Sequence, residues 1–413
     1  MQISGFPLAW AFCRLGERTM SDNCSDHPAT RLAHSGRADK SCYGPVNTPV
    51  VRASTLLFAN TAELKAAAGT RRTYGRHGTP TTQALEDALC ALEGADACLL
   101  APSGLAAITT TLLSLLKAGD HLLMTDSCYQ PTRDFCDGLL ARMGISTSYY
   151  DPLLDAGISA LMQANTRVVF AESAGSLTFE MQDLPALAAV AHSHGALLVA
   201  DCTWATPLGW QVFALGVDVS VHAATKYIVG HSDVLLGAIL CRQPLVAQLR
   251  QGHHQLGVSI GGDDAYLALR GLRTLAARLT VHQHNAAHVA HWLSLQPEVA
   301  QVLYPPLPGA PGHALWQRDC QPQYANGLMG LVFAPGISRA QVDRLVDATR
   351  LFGIGYSWGG YESLMIPVNP SKLRSVTAAR WQGKVMARLH IGLEDSADLL
   401  ADLQQAFAAM HAV

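Results

Sequence analysis

The chain has 413 residues, 49% of them hydrophobic and 15% charged, and a formal net charge of −3, which excludes a disordered polymer and supplies no basic face for nucleic-acid binding. At about 150 residues per domain the length predicts two or three domains. Ten cysteines without a C-x-x-C pair exclude a zinc ribbon and a disulfide framework and read as reduced thiols of a cytoplasmic protein, while no apolar run reaches the ~18–20 residues of a membrane-spanning helix.

Residues 1–19 read as a disordered extension, with Met20 the more natural first residue. Residues 20–78 carry arginine pairs and turn residues but no periodic core of their own, and so read as an arm that packs on something else. From about residue 95 to 240, aliphatic runs at 121–125, 145–149, 167–171, 196–200, 217–221 and 234–240 alternate with helical stretches. Continuous rather than alternating apolar strands, joined by helices, predict a parallel sheet buried on both faces. The last connection is short and carries Gly230, which predicts an antiparallel last strand. Residues 272–300 read as one long amphipathic helix. Past Pro305, Pro306, Pro308, Pro311 and Gly312 come short strands and a closing helix over 396–412, opened by Glu394 and Asp395.

In open parallel sheets reactive groups collect where strands end. Strand 196–200 runs into Asp201, strand 217–221 into a segment that holds Thr225 and Lys226, and strand 121–125 is followed by Tyr129. Ser103-Gly104-Leu105 opens a helical run, whose first N–H groups and dipole favour an anion. Each feature has an ordinary alternative: a capped helix at Ser103 or Asp201, a core aromatic at Tyr129, a surface side chain at Lys226. The last fits poorly, because a lysine beside a buried strand is rarely buried unless paired or covalently used. Together the features suit pyridoxal 5′-phosphate: a phosphate for the Gly104 turn, a ring for Tyr129, a pyridinium nitrogen for Asp201 and an aldehyde for Lys226. His282, His284, His288 and His291 raise the competing prospect of a metal site. No HExxH accompanies them, so an exposed histidine-rich helix and no metal is the expectation.

Residues 218–232, DVSVHAATKYIVGHS, resemble the cofactor-attachment segment of the Cys/Met-metabolism enzymes that use pyridoxal phosphate. The resemblance continues from about Thr30 to the C-terminus through Tyr74-Gly75-Arg76, Glu172-Ser173-Ala174-Gly175-Ser176, Gly271-Leu272-Arg273-Thr274-Leu275, the segment YSWGGYES at 356–363 and RLHIGLED at 388–395. It implies an α/β chain of PLP-dependent transferase fold type I, aspartate-aminotransferase-like. A large, mostly parallel seven-stranded sheet domain is expected over 79–271, with a smaller C-terminal α+β domain over 272–413. Residues 20–78 would then contact a neighbouring subunit.

The resemblance also implies roles. Lys226 is the attachment residue and, once released, the base; Asp201 faces the ring nitrogen; Tyr129 stacks on the ring and handles protons. Ser103, Gly104, Leu105 and Thr225 hold the phosphate, joined by Tyr74 and Arg76 from the neighbouring subunit. Arg388 clamps the substrate carboxylate, Ser357 supports it and Lys226, and Tyr74, Tyr356 and Trp358 line the substrate pocket. Ala223 stands where many relatives carry a phosphate-binding Ser, and Cys202 and Ala174 replace a common Asn and Pro. The implied assembly is a homo-oligomer with shared sites, a tetramer of two dimers. Members acting at the γ-carbon carry Asn-Pro at Ser176-Leu177 and Leu at Trp358, so these positions are similar to the bacterial cystathionine β-lyase branch. The expected reaction is α,β-elimination of L-cystathionine to homocysteine, pyruvate and ammonia, in methionine biosynthesis. A γ-lyase or γ-synthase, or a cysteine or homocysteine desulfhydrase, would share every cofactor residue.

Overall fold

The computed structural model describes residues 27–37, 45–67 and 72–411, so the expectation for residues 1–19 lies outside the described residues. Seven strands form the larger sheet: β1 (Ala97–Ala101), β2 (His121–Thr125), β3 (Ser146–Tyr150), β4 (Thr166–Glu172), β5 (Leu197–Asp201), β6 (Val219–His222) and β7 (Gly237–Cys241). Their spatial order is β1-β7-β6-β5-β4-β2-β3. Neighbours from β6 through β3 pair in parallel, and β7 runs antiparallel to β6 and to the edge strand β1. The expected reversal of the last strand is present. The sequence reading placed β2 and came within a few residues of the next five strands, but named no strand at 97–101, where Ala-Cys-Leu-Leu-Ala has no β-branched residue.

Both faces of this sheet are buried, as continuous apolar strands require. Leu123, Val169, Leu198 and Leu240 join one core; Leu122, Phe170, Val199 and Ile239 join the core on the opposite face. Strand ends at Asp201 and His222 therefore open onto one edge of a rigid slab.

The second sheet is antiparallel and has four strands: β8 (Val299–Leu303), β9 (Leu328–Phe333), β10 (Leu364–Val368) and β11 (Met386–His390), in the order β10-β11-β9-β8. Its own core includes Met329, Leu331, Leu345, Leu389, Leu403 and Phe407. The closing helix runs Ser396–Met410, and the Asp395 carboxylate caps it by accepting from the Ala397 N–H at 2.8 Å.

One long helix over 272–300 is not what forms. Helices Gly262–Arg273 and Leu275–Ser294 meet at Thr274, and residues 299–303 are strand β8. Leu275 and Leu279 of the second helix belong to the large core and Ala286, Val289 and Leu293 to the small one. A single apolar stripe thus spans both cores. Part of segment 20–78 also packs on its own chain: helix Pro28–His34 buries Leu32 in the large core, and Arg273 Nη1 donates to the carbonyls of Leu32, Ala33 and Ser35. Among the described residues no helix is long and apolar enough to cross a membrane.

Candidate active site

Asp201 closes β5 and is 8% exposed. Its Oδ1 accepts the Thr203 N–H at 2.9 Å, the local turn that an ordinary strand-end aspartate makes. Burial pushes its carboxyl above the ordinary value, against the pull of Thr203, His222 and Lys226. Across the parallel ladder Asp201 pairs with Glu172, the last residue of β4, and Glu172 Oε2 accepts the Tyr129 N–H at 2.7 Å. Burial, then the Asp201 charge, drives the Glu172 carboxyl well above its usual range. Among the described residues no cationic side chain forms a salt bridge with Asp201 or Glu172. A buried and a half-buried carboxyl side by side without a partner cation are costly, and a cationic ring N–H bound in front of Asp201 would relieve that cost.

Beyond β6 the chain turns at Ala223, whose carbonyl accepts the Lys226 N–H at 3.0 Å, and this turn carries the lysine over the edge of the sheet. Lys226 Nζ donates to Ser357 Oγ at 2.7 Å and lies 5.0 Å from the centre of the Trp358 ring. Burial, then the Arg388 charge, lowers its pKa to about 8, against the opposing pull of Asp201. Ser357 sits at φ 85°, a left-handed conformation unusual for a residue with a Cβ. Its carbonyl accepts Arg388 Nη2 at 2.9 Å. Burial lowers the Arg388 pKa to about 10, and among the described residues no carboxylate pairs with it. The structure thus brings Lys226, Ser357, Trp358 and Arg388 together, with Asp201 close enough to influence the lysine. Tyr356, 91% exposed, is close enough to Arg388 to influence its charge.

At the other end of the turn, Ser103 caps helix Gly104–Leu115, its Oγ accepting the Ala106 N–H at 3.0 Å. The Gly104 and Leu105 N–H groups, first in the helix, have no carbonyl within it to bond. A Cβ on Gly104 would lie 2.4 Å from the Ala223 Cβ, so only glycine lets this helix end meet the turn before Lys226. Ala223 N donates to Thr203 Oγ1 at 2.8 Å, which ties that turn to the Asp201 turn. The hydroxyl of Thr225, an expected phosphate contact, donates to Leu236 O at 3.1 Å and accepts the Leu236 N–H at 2.8 Å. A free N-terminal turn beside a half-buried amine and a buried carboxylate fits pyridoxal phosphate.

Tyr129 precedes helix Gln130–Phe135 and is 47% exposed. Burial, then Glu172, raises its phenol pKa, and the Arg388 charge opposes them, so the phenol lies within electrostatic reach of the same charged groups. Tyr74 and Arg76 lie elsewhere in this chain. Arg76 Nη1 donates to His254 O at 3.1 Å and Tyr74 is edge-on to His77; among the described residues no hydrogen bond links either to the Lys226 cluster. The histidine-rich helix is only partly exposed, contrary to expectation. His282 is fully buried against His390 and Tyr227, with its pKa lowered to about 4 by burial, whereas His284, His288 and His291 face outward. Among the described residues no group of three His, Cys, Asp or Glu could hold a metal ion.

Sequence reasoning missed two carboxylates. Glu172 ends an apolar strand, the very signal that singled out Asp201, and was quoted only as part of a motif. Asp126, just past β2, gives no such local hint, because four of the five donors to its carboxylate come from Ser375 and Thr377, about 250 positions away in sequence.

The chain belongs to the Cys/Met metabolism PLP-dependent enzyme family, whose profile matches residues 29–408. It is 44% identical to the cystathionine β-lyase of Bordetella avium over 94% of this chain and 99% of that one. It is 41% identical to the cystathionine β-lyase MetC of Escherichia coli over 92% of this chain and 98% of that one. Among solved structures, metB from Corynebacterium glutamicum superposes with a TM-score of 0.85 at 32% identity, covering 94% of this chain and all (100%) of the other.

Proposed function

We propose that this chain is a pyridoxal-phosphate-dependent cystathionine β-lyase that splits the Cβ–S bond of L-cystathionine into homocysteine, pyruvate and ammonia. The observation that carries the reading is the half-buried Lys226 amine, held by Ser357 within reach of the Arg388 and Asp201 charges, with its pKa lowered to about 8. Two relatives named cystathionine β-lyase, at 44% and 41% identity, support it over the γ-acting branch.

Bound pyridoxal phosphate supplies an electron-accepting pyridinium ring. In this reading Lys226 is the attachment point, Asp201 keeps the ring nitrogen protonated, and Ser103, Gly104 and Leu105 receive the phosphate, helped by Tyr74 and Arg76 of a second subunit and by the backbone around Thr225. The Arg388 fork, unpaired and partly desolvated, takes the substrate carboxylate bidentately. That grip fixes the Cα–H bond toward Lys226, whose lowered pKa lets Nζ take the α-proton near neutral pH. The thiolate leaving Cβ takes a proton from Lys226 or Tyr129 and departs as homocysteine. The three-carbon remainder hydrolyses to pyruvate and ammonia. Trp358 and Tyr356 wall the pocket for the rest of the substrate.

The same reading takes residues 79–271 as the cofactor-binding domain, 272–413 as the small domain and 20–78 as an arm toward a neighbouring subunit. It makes the active form a homo-oligomer of paired subunits, a tetramer of two dimers, working in the cytoplasm.

The test is to incubate purified holoenzyme with L-cystathionine and identify the products. Pyruvate with homocysteine is expected; 2-oxobutyrate with cysteine would overturn the β-lyase reading.

A further inference from the structure

Asp126 is fully buried, immediately after β2 and three residues before Tyr129. Five hydrogen bonds converge on its carboxylate. Oδ1 accepts Arg133 Nη2 at 2.6 Å, the Ser375 N–H at 3.0 Å and Ser375 Oγ at 2.9 Å. Oδ2 accepts the Thr377 N–H at 2.8 Å and Thr377 Oγ1 at 2.7 Å. Burial alone would raise its pKa, but these donors outweigh burial and hold it well below the carboxylate range. A carboxylate with that many donors is a fixed anionic hub.

The hub joins distant parts of the chain. Arg133 lies on the helix that Tyr129 opens, and its N–H shares the Tyr129 carbonyl with that of Thr132. Its guanidinium stacks 3.6 Å above the Tyr149 ring, and the Tyr149 hydroxyl donates to Asp137 at 2.6 Å. Ser375 and Thr377 follow β10 of the second sheet. Beside them the buried Arg374 donates to Ser176 O and to Thr178 Oγ1, and the Ser176 N–H reaches back to Ser127 O at 2.8 Å. Residues 374–377 therefore pin both loops that approach Tyr129: its own, and the one after β4, whose Glu172 accepts the Tyr129 N–H.

We propose that Asp126 is a positioning residue for the reaction, holding the Tyr129 loop in place by clamping residues 375–377 of the C-terminal part against it. The proposal rests on the reading that Tyr129 serves proton handling at the substrate. The clamp links the part that carries Arg388 and Ser357 to the loop that carries the phenol, so one set of hydrogen bonds fixes the carboxylate grip and the proton donor relative to each other.

The test is a double-mutant cycle on cystathionine cleavage by the holoenzyme. Asp126→Asn puts an amide N–H against donors and should lower kcat about 10- to 100-fold while KM stays within about threefold. Tyr129→Phe should lower kcat on its own, and adding Asp126→Asn to it should cost less than about threefold more. Thr377→Val, which removes one donor, is the milder variant should Asp126→Asn fold poorly; its loss should also vanish in the Tyr129→Phe background. Thr377→Ser should restore full activity. Amides of residues 127–133 should exchange about tenfold faster in Asp126→Asn or Thr377→Val. Fully additive losses, or wild-type kcat in Asp126→Asn, would overturn the proposal. Wild-type kcat in Tyr129→Phe alone would overturn the Tyr129 reading, and the clamp's purpose with it.

Discussion

Lys226 and Ser357, 131 positions apart in sequence, meet through a 2.7 Å hydrogen bond from the amine to the hydroxyl. The same serine offers its carbonyl to Arg388, so one residue orients both cations of the site. Ser357→Ala should lower kcat/KM for cystathionine about tenfold or more, as expected for a hydrogen bond to a charged group. Ser357→Gly removes the hydroxyl but also relieves the left-handed φ, which is worth of order 1 kcal/mol. Its melting temperature should therefore equal or exceed that of Ser357→Ala while its activity stays as low. Thermal melts and steady-state kinetics on both variants check this.

The pH dependence follows from the lysine. Attachment of the cofactor aldehyde to the apoprotein needs the neutral amine, so its rate should climb as pH rises through about 8. Arg388 lowers the Lys226 pKa and Asp201 raises it. Arg388→Gln should shift the limb to higher pH and Asp201→Asn to lower pH. Borohydride trapping at a series of pH values, with the label mapped by peptide mass, measures the limb; shifts of the same sign would contradict the assignment.

Arg388→Lys keeps the charge and loses the fork. A point charge cannot make the two parallel bonds of a guanidinium to a carboxylate. KM for cystathionine should rise about 10- to 100-fold, with kcat falling less, in steady-state assays.

Gly104→Ala tests the close approach of the helix end to the lysine turn. The new Cβ would lie 2.4 Å from the Ala223 Cβ and 2.8 Å from its Cα, and backbone there must shift. Stability should drop about 1–3 kcal/mol, and pyridoxal phosphate should bind more weakly in a titration of the apoprotein.

Much of the larger sheet was legible because strands buried on both faces must be continuous and aliphatic, and Asp201 and Lys226 stood out where such strands stop. Strand β1 escaped because alanine, cysteine and leucine suit a helix as well as a strand. The break at Thr274 escaped because Arg273-Thr274-Leu275 holds neither glycine nor proline. His282 was read with its exposed neighbours, yet at 100° per residue it faces almost opposite to His284, in line with Leu275, Leu279 and Ala286. Ser357 and Arg388 were placed only through family resemblance, since nothing local in a strand or turn declares that it will meet residue 226. The Asp126 hub was invisible for the same reason.

Helix Leu275–Ser294 ends in one core and begins in the other. Neither half of the molecule can therefore melt while the other keeps its full complement of apolar contacts, and calorimetry should record one cooperative endotherm. A protease cut near Ala286 would leave two fragments, each short of half a shared axle, and neither should refold alone.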